Sequence, residues 1–280
     1  MTAVGNFQLS TLIFQLFFVP LPTDMKQICY YPTIALFFLL ALNACGSKTG
    51  SSSSNFEPVK AERSVSIDNS KDAPQCHVEL EVLQAKNATS KAGQLINEAI
   101  VKKIFDMEEL SVQAAVDSFA NTYTRDYRQN MAPLYREDRA DAAKHAWYEY
   151  RYVVTTEALD NGDGVTNYII NLDYYEGGAH GITQRLTMNF DNKTGQQIKL
   201  SDIFGADYEL SLRDKLLQAL FDKTGDRTID ALHQRGYLYS MDMFVPDNYI
   251  IGEDKVTFIY NPYEIAPYNE GLIELEIKRE

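Results

Sequence analysis

Cysteine, histidine and long apolar runs are all scarce in this sequence. Three cysteines and four histidines occur in 280 residues. Cys29 and Cys45 fall in a segment that reads as a targeting signal, so Cys76 alone is left for the folded part and no intrachain disulfide can close there. Cys76-His77 is too short a pair to enclose a zinc ion, and its place at the head of an alternating stretch suits a strand start. No serine stands in a GxSxG motif after a strand, so a nucleophile elbow is excluded. The residue pattern implies no cofactor and no metal. After Leu42, no run approaches the roughly 20 apolar residues that a spanning helix needs.

What is present begins with an address. Met1 to Asp24 carries no lysine or arginine, whereas a secretory signal opens on positive charge. From Met25 the text reads "MKQICYYPTIALFFLLALNAC": Lys26 supplies the charge, Ile34 to Leu42 the apolar core, and Leu42-Asn43-Ala44-Cys45 has the form of a lipobox. Residues 1–24 are therefore expected to be a start-site artefact and 25–44 a lipoprotein signal peptide. Cys45 is the expected lipid attachment site, holding the mature chain at a membrane surface. Residues 45–75 are rich in serine and poor in large apolar side chains, and are read as a flexible tether. Gly46 and Ser47, with no early acidic run, resemble lipoproteins kept in the envelope. In a Gram-negative host the outer membrane, facing the periplasm, is the expected location.

The chain holds 26 basic and 39 acidic residues, a net charge of −13, and the signal removes one of each sign. Nucleic acid is excluded as a partner on that balance. A solvated acidic surface accounts for the charge, and attraction to a cationic protein is the sharper reading.

The order of patterns along the chain argues for an α+β fold built on antiparallel sheet, with about three helices. "CHVELEVLQ" alternates as a half-buried strand, and "SKAGQLINEAIVKKIF" places Leu95, Ile96, Ala99, Ile100 and Ile104 on one helical stripe. Val112, Ala115, Val116, Phe119 and Tyr123 begin a second helix expected to run to about Arg128, followed by a loop or short helix at "MAPLYRED". "HAWYEYRYVVTTEAL" and "VTNYIINLDYY" flank "DNGDG" as a hairpin. Asp160 and Asp163 do not have the ligand spacing of an EF-hand loop. "TQRLTMNFD" is a third strand of this group, with "QQIKL" returning beside it; "SDIFGADYELSLRDKLLQALFDKTG" is a third helix, and the tail alternates again.

Four stretches in this order, "INEAI", "YYEGGAHG", "FDNKTGQQIKLSDIF" and "YNPYEIAPYNEG", resemble one bacterial envelope family. It is the extracellular, lysozyme-sensing module of RsiV-type anti-sigma-V factors, whose N-terminal half is similar to the accessory domain of PdaC-type peptidoglycan deacetylases. The resemblance implies two subdomains forming one module: residues 76–192 like the deacetylase accessory domain, and 193–280 like the RsiV C-terminal part. It implies binding rather than turnover, because the deacetylases keep their metal chemistry in another domain with a His-x-x-x-His arrangement that is missing here. The sigma-binding segment and spanning helix of the anti-sigma factors are also missing, so their signalling does not transfer.

The candidate site is "NLDYYEGGAHG". As chemistry, His180 is a general base oriented by Glu176, which would make the protein a peptidoglycan deacetylase or hydrolase. As structure, Gly177, Gly178 and Gly181 let the chain turn and His180 ties the corner down. As recognition, Tyr174, Tyr175, Glu176 and His180 contact a ligand, joined by Tyr263, Glu264 and Tyr268 of the proline-stiffened "NPYEIAPYNEG". The resulting expectation is a lipid-anchored envelope protein with a non-catalytic binding module. Its ligand is a lysozyme-like basic protein or a cell-wall component such as peptidoglycan. A scaffolding lipoprotein is the third alternative.

Overall fold

Strand alternation and helical stripes sort the chain into two sheets with separate cores. A computed structural model describes residues 51–239 and 241–279; the signal segment and Cys45 lie outside the described residues. The first sheet contains β1 (Ser51–Ser52), β2 (Phe56–Ser66), β3 (Gln75–Ala85), β4 (Tyr150–Asp160), β5 (Val165–Glu176) and β6 (Ile182–Asp191), in the order β2-β3-β4-β5-β6 with β1 beside β4. The second holds β7 (Tyr249–Ile251), β8 (Lys255–Tyr260) and β9 (Ile273–Lys278), all antiparallel. The fold is α+β with antiparallel pairing dominant.

Several features correct or extend the expectations. Residues 45–75 are not a tether throughout, because Phe56–Ser66 pairs along its whole length with β3. Val59 and Ala61, two residues apart, and Phe56 at the strand's start are buried while charged neighbours face solvent, so its average composition hides the strand. β2 is an edge strand, where Pro58 and surface charges are tolerated and discourage further pairing.

Second, within a sheet whose pairing is mostly antiparallel, β3 and β4 pair in parallel, Cys76 opposite Tyr150. A parallel pair needs a crossover, and two helices supply it. In α1 (Lys91–Phe105) the Ser90 hydroxyl accepts from the Gly93 N–H, and Asp106 closes the helix in the left-handed region at φ 51°. Helix α2 (Val112–Asp138) is capped at its start by Ser111. Together with the sheet these helices bury the first core.

Third, α2 runs ten residues past Arg128, through Pro133. A proline inside a helix costs about 3 kcal/mol. Offsetting it, Tyr127, Met131 and Tyr135 continue the stripe at i, i+4 and i+8, and Tyr135 packs edge-on against Tyr148 at 5.3 Å. The segment before β4, expected as strand from His145, is a 3-10 turn over Ala142–Tyr148. Likewise "QQIKL" forms a single bridge, Phe190 with Gln197, instead of a strand.

The expected third helix is divided. Helix α3 (Leu200–Phe204) ends at Gly205, α4 (Tyr208–Thr224) ends at Gly225 with φ 77°, and a short α5 (Ile229–Gln234) follows. Leu212, Leu216 and Leu220 of α4 face the second sheet and form the second core with Phe258, Tyr260 and Leu275.

Side chains from the first sheet join the two halves. Strand β7 pairs with β8 on one edge only, leaving the backbone groups of Tyr249 and Ile251 pointing outward. Thr187 Oγ1 accepts from the Tyr249 N–H at 2.7 Å, and the Asn189 amide donates to the Tyr249 carbonyl at 2.9 Å. Asn167 serves Ile251 twice, accepting from its N–H at 2.9 Å and donating to its carbonyl at 3.0 Å. In return, Asn248 and Asn261 accept from the edge N–H groups of Thr187 and Arg185 in β6. Ile169, Ile250 and Ile259 fill the space between.

Replacing Asn167 with alanine strands the buried Ile251 N–H and leaves the Ile251 carbonyl with only the longer bond from the Asn161 amide at 3.3 Å. The expected loss is about 2–4 kcal/mol, from roughly 1–3 kcal/mol per unmade buried bond. Urea denaturation of Asn167→Ala against the parent chain measures it.

Candidate functional site

The glycine-histidine loop joins β5 to β6 and turns beside the second sheet. Gly177 and Gly178 take φ of 81° and 100°. At Gly177 a Cβ would also stand 2.5 Å from the Trp147 carbonyl oxygen, so the loop presses against the 3-10 turn. The Tyr175 hydroxyl lies 2.9 Å from the Gly178 carbonyl and 3.2 Å from that of Ala146, bridging loop and turn.

His180 meets the "NPYEIAPYNEG" loop that joins β8 to β9. Its ring stacks on Tyr268 with centroids 4.3 Å apart and 26° between planes, and Tyr263 lies 5.5 Å from Tyr268 at 32°. Because a carbonyl can only accept, the 2.8 Å contact from His180 Nδ1 to Gly181 O puts the proton on Nδ1. Nε2 then accepts from the Tyr263 hydroxyl at 3.2 Å. Tyr268 also donates to Gly181 O at 3.2 Å. Tyr263 has φ 73°, a strained backbone for a residue with a side chain. Its ring is 62% exposed.

The remaining sequence candidates go elsewhere. The Glu176 carboxylate accepts from Tyr123 of α2 at 2.5 Å, so it faces a cluster on the helix side of the sheet. There Tyr174 packs on Tyr152 at 5.8 Å. Burial, then the charge of Glu176, holds the Tyr123 phenol far above its ordinary range, and burial followed by Glu176 and Tyr174 pushes Tyr152 up to about 12. Cys76 is likewise pushed up to about 12, by burial and then Glu176, leaving an inert thiol. Glu264 is a turn residue whose carboxylate accepts from the Asn261 N–H at 2.7 Å.

His180 and Glu176 therefore have different partners, and Glu176 does not orient the imidazole. Among the described residues no three His, Cys, Asp or Glu side chains converge as metal ligands. What the corner offers is surface. Trp147, the sole tryptophan, is 54% exposed, and Ile182 beside Gly181 is 37% exposed. Trp147 lies in the 3-10 turn and not in the expected strand, and its uniqueness in a tyrosine-rich chain is the sequence signal that marks it.

No curated protein matches the chain. Residues 201–280 match the model of a family described as "Protein of unknown function (DUF3298)". Two solved structures are similar. A member of the DUF3298 family from Bacteroides fragilis NCTC 9343 is 27% identical with a TM-score of 0.73, over 82% of this chain and 91% of that one. A DUF3298 family protein from Pseudomonas aeruginosa PAO1, 16% identical with a TM-score of 0.54 over 80% and 89%, shares the fold. The expected resemblance holds at that coarser level, a DUF3298 domain with DUF3298 structural neighbours, without singling out the lysozyme-sensing branch.

Alanine at Gly177 meets both a left-handed backbone and the Trp147 carbonyl; at Gly178 it meets open space. Thermal melts are expected to show Gly177→Ala losing at least about 2 kcal/mol and Gly178→Ala about 1 kcal/mol.

Proposed function

We propose that the chain is a lipid-anchored protein of the bacterial cell envelope whose folded part is a non-catalytic module docking a basic protein of lysozyme type. The observation that carries this reading is the exposed aromatic corner: His180, Tyr263 and Tyr268 in near-parallel planes, the His180 loop leading into Ile182 and packing at Gly177 against the turn that holds the exposed Trp147. Tyrosine and tryptophan are the residue types that dominate binding energy at interfaces. Here the rings are held by each other and by the Tyr263–His180 and Tyr268–Gly181 hydrogen bonds, which reduces the rotamer freedom to be lost on contact. The net charge of −13 steers cationic partners toward the surface, and guanidinium or ammonium groups stack well on aromatic faces. Anchoring at Cys45, through the lipobox that precedes it, would place this corner near the membrane where such proteins act.

Biolayer interferometry of the detergent-solubilised full chain against lysozyme tests the reading. Micromolar or tighter binding is expected at low salt, weakening as ionic strength rises. Tyr263→Ala is expected to cost about 2 kcal/mol, roughly thirtyfold in affinity. Absence of binding at every salt concentration refutes the reading. Binding of soluble peptidoglycan fragments at the same corner would move the ligand to the cell wall.

A further inference from the structure

The second sheet sits against β6 and the Asn167–Ile169 part of β5, and outward side chains of β2, β3, β4 and the far end of β5 stay open. Register lines four of them up in one row across four strands: Ser64 opposite His77, His77 opposite Arg151, Arg151 opposite Tyr175. The row lines a cleft of about 550 Å³ that Gln75 and Glu149 also border. Each member is held in place. The Ser64 hydroxyl and His77 Nδ1 are 2.8 Å apart, Glu149 Oε2 accepts from the Gln75 N–H at 3.0 Å, and Arg151 pairs with Asp173.

Ser64, His77 and Glu79 have the residue types of a hydrolase triad, but the placement is wrong for one. Glu79 stands 3.9 Å from His77 Nε2, too far to orient it by a hydrogen bond. The imidazole also separates the hydroxyl from Arg151 by a whole strand, about 4.8 Å on each side, so that cation cannot meet an oxyanion formed at Ser64.

What is left is a mixture of donors and acceptors. His77, Glu149 and Arg151 line the cleft, and His77 Nε2, the second oxygen of Glu149 and the Gln75 side-chain amide make no hydrogen bond among the described residues. An anion would meet Glu149, the one carboxylate in the lining, beside an Arg151 whose charge is already paired with Asp173. A cation would meet Arg151, the one fixed positive charge in the lining. A sugar ring matches all of it, because each hydroxyl both donates and accepts and its C–H face can lie on the Tyr175 ring. We infer that this cleft binds a neutral saccharide, one pyranose unit of a glycan, at a site separate from the aromatic corner. The inference goes beyond the docking role proposed above and does not depend on it.

Saturation-transfer NMR on the detergent-solubilised full chain, with chitotriose and maltotriose at millimolar concentration, tests it. Transfer to at least one trisaccharide is expected. The signal should fall at least fivefold in His77→Ala and in Gln75→Ala, both at surface positions, and stay unchanged in Tyr263→Ala. Loss of lysozyme docking with saccharide transfer intact refutes only the corner reading. Transfer to neither sugar, equal transfer in both cleft variants, or displacement of the sugar by equimolar inorganic phosphate overturns the inference.

Discussion

Everything beyond the first sheet depends on how β7 satisfies its unpaired edge. A strand with one neighbour carries a row of N–H and C=O groups that must find partners once buried. In this protein the partners are side chains: Thr187, Asn189 and Asn167 rise from β6 and β5 to meet Tyr249 and Ile251. Polar side chains thus do the work of a strand, and they do it only at one position and one angle. The three-isoleucine contact between the sheets has no such directionality. The amide and hydroxyl set is therefore what orients the second sheet, and with it the loop that carries Tyr263 and Tyr268.

That orientation is what makes the corner. His180 belongs to the first sheet's β5–β6 loop, and its stacking partners belong to the β8–β9 connection, more than 80 residues later. A slip at β7 would separate the rings while leaving each sheet intact. The same arrangement explains the division of the exposed face: part of the first sheet is covered by the joint, and another part keeps the polar row from Ser64 to Tyr175 open to solvent.

Periodicity made most elements legible: the β3 alternation, the α1 stripe and the "DNGDG" hairpin all lie where their patterns point. What failed did so for physical reasons. Strand β2 hides behind its charged outward residues, and α2 continues past a proline because packing outweighs propensity. The joint was illegible because Asn167, Thr187 and Asn189 occupy the polar phase of alternating strands, which ordinarily means solvent. Only the arrival of a second sheet buries them. For the corner, the glycines and His180 stood out by composition, and the tyrosine loop by its prolines. Their meeting depends on tertiary geometry, as does the diversion of Glu176 to Tyr123.

The claim that side chains stand in for a strand at β7 is tested most directly by native-state hydrogen exchange at the Tyr249 and Ile251 amides. Both N–H groups are held by side chains alone, so if the joint is part of the cooperative core they should exchange only on global unfolding, as slowly as Phe258 or Leu80. Exchange at loop rates, with β8 still protected, would show that the two sheets are not fixed by these bonds and would contradict the account.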